Sequence, residues 1–110
     1  MIEDTLRQIE ARLEQAESIK GEQKVQLLNL LSRLKAEIQQ LPRTNDEQAQ
    51  SITGFAAVSA HEATREEPNP RLLHLSLEGL KSSVDGFERS HPNLVGLVDR
   101  ICTTLANLGV

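Results

Sequence analysis

Three histidines and one cysteine are the side chains of this sequence that could hold a metal ion or act as a nucleophile. They are His61, His74, His91 and Cys102. A metal site in a helical bundle uses Glu-x-x-His pairs on two helices together with further carboxylates. The sequence has one such pair, Glu88 with His91, and Pro92 follows it directly, so both side chains would lie at a helix break. We therefore assign no metal ligand and no cofactor.

The residue spacing gives no support to nucleophilic or phosphate-binding chemistry either. Cys102 follows Ile101 beside an apolar helix face, and no neighbouring base would activate its thiol. We interpret it as a small buried hydrophobic residue. The six glycines are scattered singly and none directly precedes a Lys-Ser or Lys-Thr pair, which excludes a phosphate-binding loop. The sequence predicts no catalytic residue.

Composition excludes two classes of partner. The chain of 110 residues carries 12 basic and 16 acidic side chains, a net charge of −4, whereas a protein that binds duplex nucleic acid needs a basic face. Its two aromatic residues, Phe55 and Phe87, are too few to stack on single-stranded bases. No run reaches the ~20 apolar residues of a membrane span, and the acidic residues at 1–5 are unlike a signal peptide. We expect no nucleic-acid or membrane partner and a cytoplasmic location.

Apolar residues at alternating spacings of four and three predict two helices in the first part of the chain, about 2–18 and 22–41. The apolar pattern changes phase across Gly21, which favours a turn there and an antiparallel hairpin. One long helix through Gly21 is the alternative interpretation. Pro42 ends the second helix, because the residue before a proline avoids helical backbone angles.

Three further helices are predicted in the second part of the chain. The third covers about 45–66 and has a stripe of small alanines, while the fourth and fifth repeat the four-three spacing. Their apolar residues are Leu73, Leu77, Leu80, Val84 and Phe87 on the fourth helix and Leu94, Val98, Ile101, Leu105 and Leu108 on the fifth. The predicted fold is all-α, an antiparallel hairpin (1–42) followed by a helical region (43–110) of two or three helices, bundle-like or coiled-coil-like. That second region forms one compact unit or two subdomains.

Residues that typically cap helices lie at two of the breaks. Thr44 and Glu47 have the T-x-x-E spacing of a capping box at the start of the third helix. Asn69 is placed to cap the fourth helix, with Pro70 at its first position. Both pairs are therefore candidate capping residues.

The fifth helix has capping candidates at both ends. The Ser90 hydroxyl or the His91 ring, directly before Pro92, is expected to accept hydrogen bonds from free amides at its start. Gly109 is expected to end it in a left-handed conformation. We favour this structural role of His91 over a catalytic one.

Three stretches of the sequence carry a resemblance to a known family. They are G-F-A-A-V-S-A-H-E-A-T-R at 54–65, F-E-R-S-H-P at 87–92 and L-A-N-L-G at 105–109. In these three motifs the chain resembles a family of short bacterial proteins known as a domain of unknown function. The resemblance covers nearly the whole chain, implies a small cytoplasmic helical protein and implies no reaction or cofactor.

The leading functional hypothesis is a non-enzymatic module that associates with itself, with a dimer favoured. The second helix has an apolar arc wider than one hairpin partner covers, so part of it should face another chain. The interface candidates are Leu27, Leu28, Leu30, Leu31, Leu34 and Ile38. An adaptor or antitoxin-like binder, completed by an unidentified different protein, is the alternative. A metal-dependent enzyme is the weakest hypothesis, and its residues would be His61, Glu62, Glu88 and His91.

Overall fold

The computed structural model describes residues 2–108, which form five α-helices and, within that range, no strand. The helices are α1 (Ile2–Gln15), α2 (Gly21–Gln39), α3 (Asp46–Ala63), α4 (Pro70–Ser83) and α5 (Pro92–Leu108), with a 3-10 turn at Arg43–Asn45 before α3. The predicted all-α fold, a hairpin followed by three further helices, is confirmed. In this part of the chain none of the helices is both long enough and apolar enough to cross a bilayer.

The α1–α2 hairpin is antiparallel. Near the turn the Lys24 ammonium donates to the carbonyl of Glu14 at 2.7 Å, and at the open end the Gln39 amide donates to Glu3 at 3.2 Å. Residues 16–20 connect the two helices, so the alternative interpretation, one long helix through Gly21, is wrong. The turn also differs from the prediction, because Gly21 is the first residue of α2 and the chain reverses before it.

Helix α3 lies at the centre of the fold and packs against α1, α4 and α5. Its buried face includes Ala49, Ala56 and Ala60, whose short side chains let neighbouring helices approach closely. Ser59 belongs to the same face and is fully buried, with no hydrogen-bond partner for its hydroxyl among residues 2–108. The helix ends at Ala63, three residues earlier than predicted.

Helix α4 also ends earlier than predicted. Its last residue is Ser83, so Val84 and Phe87 lie beyond the helix, although both are buried in the core. Three residues beyond the helix, Gly86 turns the chain with a φ of +95°, a conformation that glycine adopts readily. The Gly86 amide donates to the Glu88 carboxylate at 2.8 Å, which holds this turn in place. Apolar spacing identified the buried residues but not the end of the helix.

One hydrophobic core joins all five helices. Its larger members are Leu6, Leu13, Leu27, Leu34, Ile52, Leu80, Leu94, Val98 and Leu105. The predicted hairpin (1–42) and the predicted C-terminal region (43–110) both contribute to this core. The division of the chain into two domains at residue 42 stays a prediction. In the structure the two segments pack together.

The helix starts differ in how they are capped. At α4 the Asn69 side chain accepts a hydrogen bond from the Leu72 amide at 3.0 Å, and Pro70 is the first helical residue. The predicted capping box at α3 does not form. Thr44 lies inside the 3-10 turn, so Asn45 takes the capping position and Glu47 is one residue too early to reach back.

At the start of α5 the backbone carbonyl of His91, rather than its ring, accepts from Leu94 N at 3.1 Å. The ring contacts the Ser90 hydroxyl at 3.0 Å and packs edge-on against Phe87 with 5.5 Å between the ring centroids. Neither predicted side-chain cap is therefore used, although α5 begins at Pro92. Gly109 lies outside the described residues.

Replacing the capping side chain of α4 tests its contribution to stability. We expect Asn69→Ala to lower the free energy of unfolding by about 1 kcal/mol, because the Leu72 amide loses its acceptor. Urea denaturation followed by circular dichroism measures the change. Asn45→Ala is the matched control, since Asn45 occupies the same position before α3 without a side-chain hydrogen bond. Equal losses in the two variants would contradict the capping role.

Candidate functional site

The structure places the predicted interface residues of α2 inside the protein's own core. Five of the six are buried, namely Leu27, Leu30, Leu31, Leu34 and Ile38, and Leu28 is half-buried. Helices α1 and α5 pack against α2 and cover the wide apolar arc. The arc therefore needs no second chain to cover it, and a surface for self-association has to be sought elsewhere.

The residues of the metal-enzyme hypothesis are held by local partners. The Glu62 carboxylate, 9% exposed, accepts from Arg65 at 2.9 Å. Glu88 accepts from the Gly86 amide, and the His91 ring contacts Ser90. Over residues 2–108 no three His, Cys, Asp or Glu side chains converge in a way that could hold a metal ion. These residues suggest no catalytic arrangement.

Cys102 is buried on α5 beneath α4. Its Sγ donates weakly to the carbonyl of Leu77 at 3.8 Å. Burial raises the pKa of the Cys102 thiol to about 11, although the nearby Lys81 charge acts in the opposite direction. A protonated, inaccessible thiol is a poor nucleophile, in agreement with its interpretation as a hydrophobic residue.

Large apolar side chains are exposed together on α3 and α4. Phe55 and Val58 on α3 are 41% and 48% exposed, and Leu72 and Leu75 on α4 are 42% and 50% exposed. We call these four side chains the α3–α4 face. Val25 on α2 is more exposed, at 68%, but it belongs to neither of these helices. Single exposed apolar residues are ordinary, whereas a cluster indicates an interaction surface.

The α3–α4 face is continuous because α3 and α4 touch along it. The Phe55 ring lies directly over Gly79, so closely that a methyl group at Gly79 would collide with it. Leu72, Leu75 and Gly79 are spaced by three and four residues and form one stripe of α4. Phe55 and Val58 are three residues apart on α3. The two stripes therefore adjoin and form a single surface.

Two side-chain pairs within the chain border this face. Glu62 binds Arg65, and His74 lies 2.9 Å from Glu78 through their side-chain atoms. For these two pairs, pairing reduces the cost of bringing an apolar partner close, because a paired charge is less costly to remove from water than an isolated one.

A groove between α1 and α3 begins beside this face. Its larger recess has a volume of about 730 Å³, and the smaller one, about 220 Å³, lies at the other end of the same two helices. The larger recess is lined by Gln8, Ile9, Ala11, Arg12, Gln15, Ala16, Ala57, Val58, His61 and Thr64. The smaller is lined by Ile2, Thr5, Gln50, Thr53 and Gly54. Val58 belongs both to the groove and to the α3–α4 face.

Sequence reasoning missed the α3–α4 face, although a signal for it exists. Leu72 and Leu75 lie outside the regular stripe of Leu73, Leu77 and Leu80, and a helix with one buried side has no need of them. Apolar residues beyond the main stripe led to a predicted interface on α2, whereas those on α4 were not interpreted in this way. The groove has no comparable signal, because it depends on how α1 lies against α3.

A comparison with protein families finds one match. The family model described as "Domain of unknown function (DUF4404)" matches residues 27–110, which run from within α2 to the end of the chain. No curated protein and no solved structure matches the chain.

The high pKa of Cys102 makes stability depend on pH in the alkaline range. The unfolded thiol ionises near its ordinary pKa of 9.0, whereas the folded thiol stays protonated up to about 11. The unfolded state therefore releases its proton first, and the stabilising contribution is lost as the pH rises from 9.0 to about 11. We expect Cys102→Ala to show a smaller loss of unfolding free energy than wild type between these pH values, measured by urea denaturation. An identical pH dependence of the two proteins would contradict this role.

The close contact at Gly79 predicts an unusual response to alanine. Alanine in place of a helical glycine ordinarily stabilises by about 0.5–1 kcal/mol. Gly54→Ala should show this gain, because nothing lies within 4 Å of the added methyl group, whereas Gly79→Ala should lose it to the collision with Phe55. Adding Phe55→Ala to Gly79→Ala should recover the gain relative to Phe55→Ala alone. Thermal and urea denaturation of the four variants measure these differences, and equal gains at both glycines would contradict the packing described.

Proposed function

We propose that this chain, which belongs to the DUF4404 family of domains of unknown function, is a non-enzymatic helical module that binds a second copy of itself. The α3–α4 face is the observation that carries the proposal. Four large apolar side chains, each about half exposed, lie together on two adjoining helices. A surface of this kind is costly in water and becomes favourable when another apolar surface covers it.

A second copy is a chemically suitable partner for this face. Its identical apolar stripes can pack against those of the first copy, and two-fold symmetry makes the contact self-limiting. Two of the bordering side-chain pairs, Glu62 with Arg65 and His74 with Glu78, are formed within each chain. These groups therefore need no partner from the second copy.

The strength of the association follows from the area available. Full burial of a side chain of this size contributes roughly 1.5–3 kcal/mol, so one that is already half buried contributes about half of that. Eight such side chains, four from each copy, supply about 6–12 kcal/mol, which is comparable to the roughly 4–15 kcal/mol that association costs. The α3–α4 face alone supports a weak dimer. A dimer that is stable at micromolar concentration, which needs about 8 kcal/mol net, requires further contacts.

We also propose that the protein acts in the cytoplasm. The single cysteine is buried and unpaired, as in proteins of a reducing compartment, and it contributes nothing to a disulfide framework within the chain.

Light scattering coupled to size exclusion tests the self-association. We expect the mass of the wild-type chain to rise from that of a monomer towards that of a dimer as the concentration is raised, and the mass of Leu75→Glu to remain that of a monomer. A carboxylate in the middle of the face would have to be desolvated on binding. Leu75 is half exposed in the single chain, so circular dichroism should show an unchanged helix content in the variant.

Val25→Glu is the matched control for this experiment. It introduces the same charge at an exposed apolar residue of α2, away from α3 and α4, and should remain dimeric. A wild-type chain that stays monomeric at the highest concentration would overturn the proposal and favour the adaptor hypothesis, in which a different protein binds. Equal loss of the dimer in both variants would overturn the assignment of the face.

A further inference from the structure

We propose that the larger recess of the α1–α3 groove binds a small organic carboxylate, whose apolar body lies between the two helices and whose charged end meets Arg12. The volume of the recess, about 730 Å³, lies within the roughly 300–1,000 Å³ that is typical of small-molecule sites. This inference goes beyond the proposed self-association, which uses the neighbouring α3–α4 face. It concerns a ligand of a different chemical class.

Apolar side chains form half of the surface that such a ligand would contact. Ile9 of α1 is buried and forms the floor of the recess, with Ala57 and Val58 of α3 on the opposite side. Ala11 and Ala16 also line the recess, and their short side chains leave the space open. An alkyl or aryl group placed here is removed from water, which favours binding.

The polar side chains of the recess are suited to a carboxylate. Gln8, Arg12 and Gln15 are spaced by four and three residues, so they form one stripe along the α1 edge. His61 and Thr64 lie three residues apart on the α3 edge. Each of these five side chains can donate a hydrogen bond, and an ionised carboxylate only accepts. None of the side chains that line the recess is acidic.

Arg12 is available to bind an anion. The side chains three and four positions away from it on α1 are all uncharged, so its own helix provides no carboxylate, and it forms no ion pair within residues 2–108. Glu62, on the α3 side, is held by Arg65 at 2.9 Å and lies 3.9 Å from the His61 ring. A ligand carboxylate would therefore meet a guanidinium that has no partner of its own.

The placement of acidic residues distinguishes this groove from its surroundings. The chain has a net charge of −4 and α1 alone carries four acidic residues, yet no acidic residue lines either recess of the groove. The recess between α2 and α5 differs, because Glu37 lines it together with Arg33 and Arg100. An anion that enters the α1–α3 groove thus meets a cation without a competing carboxylate beside it.

Three small probes separate the two parts of the proposed ligand. Hexanoate has both the apolar body and the charge, 1-hexanol has only the body, and acetate has the charge with a single methyl group. We expect hexanoate to bind about tenfold more tightly than either of the others, because only hexanoate combines burial of an apolar chain with a charge-assisted hydrogen bond. Titration followed by the NMR shifts of backbone amides measures the dissociation constants and locates the site.

Substitutions in the recess test the role of each part. Arg12→Gln should weaken hexanoate binding about tenfold and change 1-hexanol binding by less than about twofold. Arg33→Gln is the matched control, since Arg33 is also exposed but lines the recess between α2 and α5, and it should change neither. Ala57→Leu fills the recess and should weaken both probes. Circular dichroism checks that the helix content of each variant is that of the wild type.

The outcomes bear on this inference separately from the proposed function. Hexanoate that binds no more tightly than 1-hexanol, equal losses in Arg12→Gln and Arg33→Gln, or shifts centred away from the recess would each overturn the carboxylate site. Selective loss of hexanoate in Arg12→Gln, with shifts along the facing sides of α1 and α3, supports it. The titrations can be read for a monomer as well as for a dimer, so failure of the self-association leaves this test intact.

Discussion

The close approach of neighbouring helices to α3 is the constraint on which the rest of the structure depends. Helix α3 packs against α1, α4 and α5, and three helices fit around it because its inner face carries alanines and Ser59. A buried hydroxyl without a partner costs roughly 1–3 kcal/mol. Ser59 occupies this position despite that cost, and Ser76 is also buried on α4. The close packing of these helices therefore depends on short side chains. The same closeness brings Phe55 over Gly79 and joins two helices into one exposed apolar surface.

Much of the fold could be predicted from the sequence, because helical periodicity is a local property. The spacing of apolar residues identified five helices, and Asn69 before Pro70 identified the start of α4. Helix ends were less predictable. Val84 and Phe87 keep the spacing of α4 although the helix ends at Ser83, since a residue can be buried from a turn as well as from a helix.

The candidate site could not be predicted, because its parts depend on which helices become neighbours. The leucine arc of α2 is wide for one partner helix, but α1 and α5 together cover it. Periodicity shows how much apolar surface a helix carries and does not show how many neighbours it has. The exposed leucines of α4 carried the same kind of signal, and only the position of α3 shows that they stay uncovered and adjoin Phe55.

The pairing of α2 with α5 also bears on the order in which the protein can fold during its synthesis. Helix α2 ends at Gln39 and α5 begins at Pro92, so more than 50 residues separate them in the chain. The α1–α2 hairpin emerges from the ribosome before α5, with one side of its leucine arc still bare. That side stays exposed until α5 has been made. Between the synthesis of α2 and that of α5 the nascent chain therefore presents an apolar surface that the folded structure conceals.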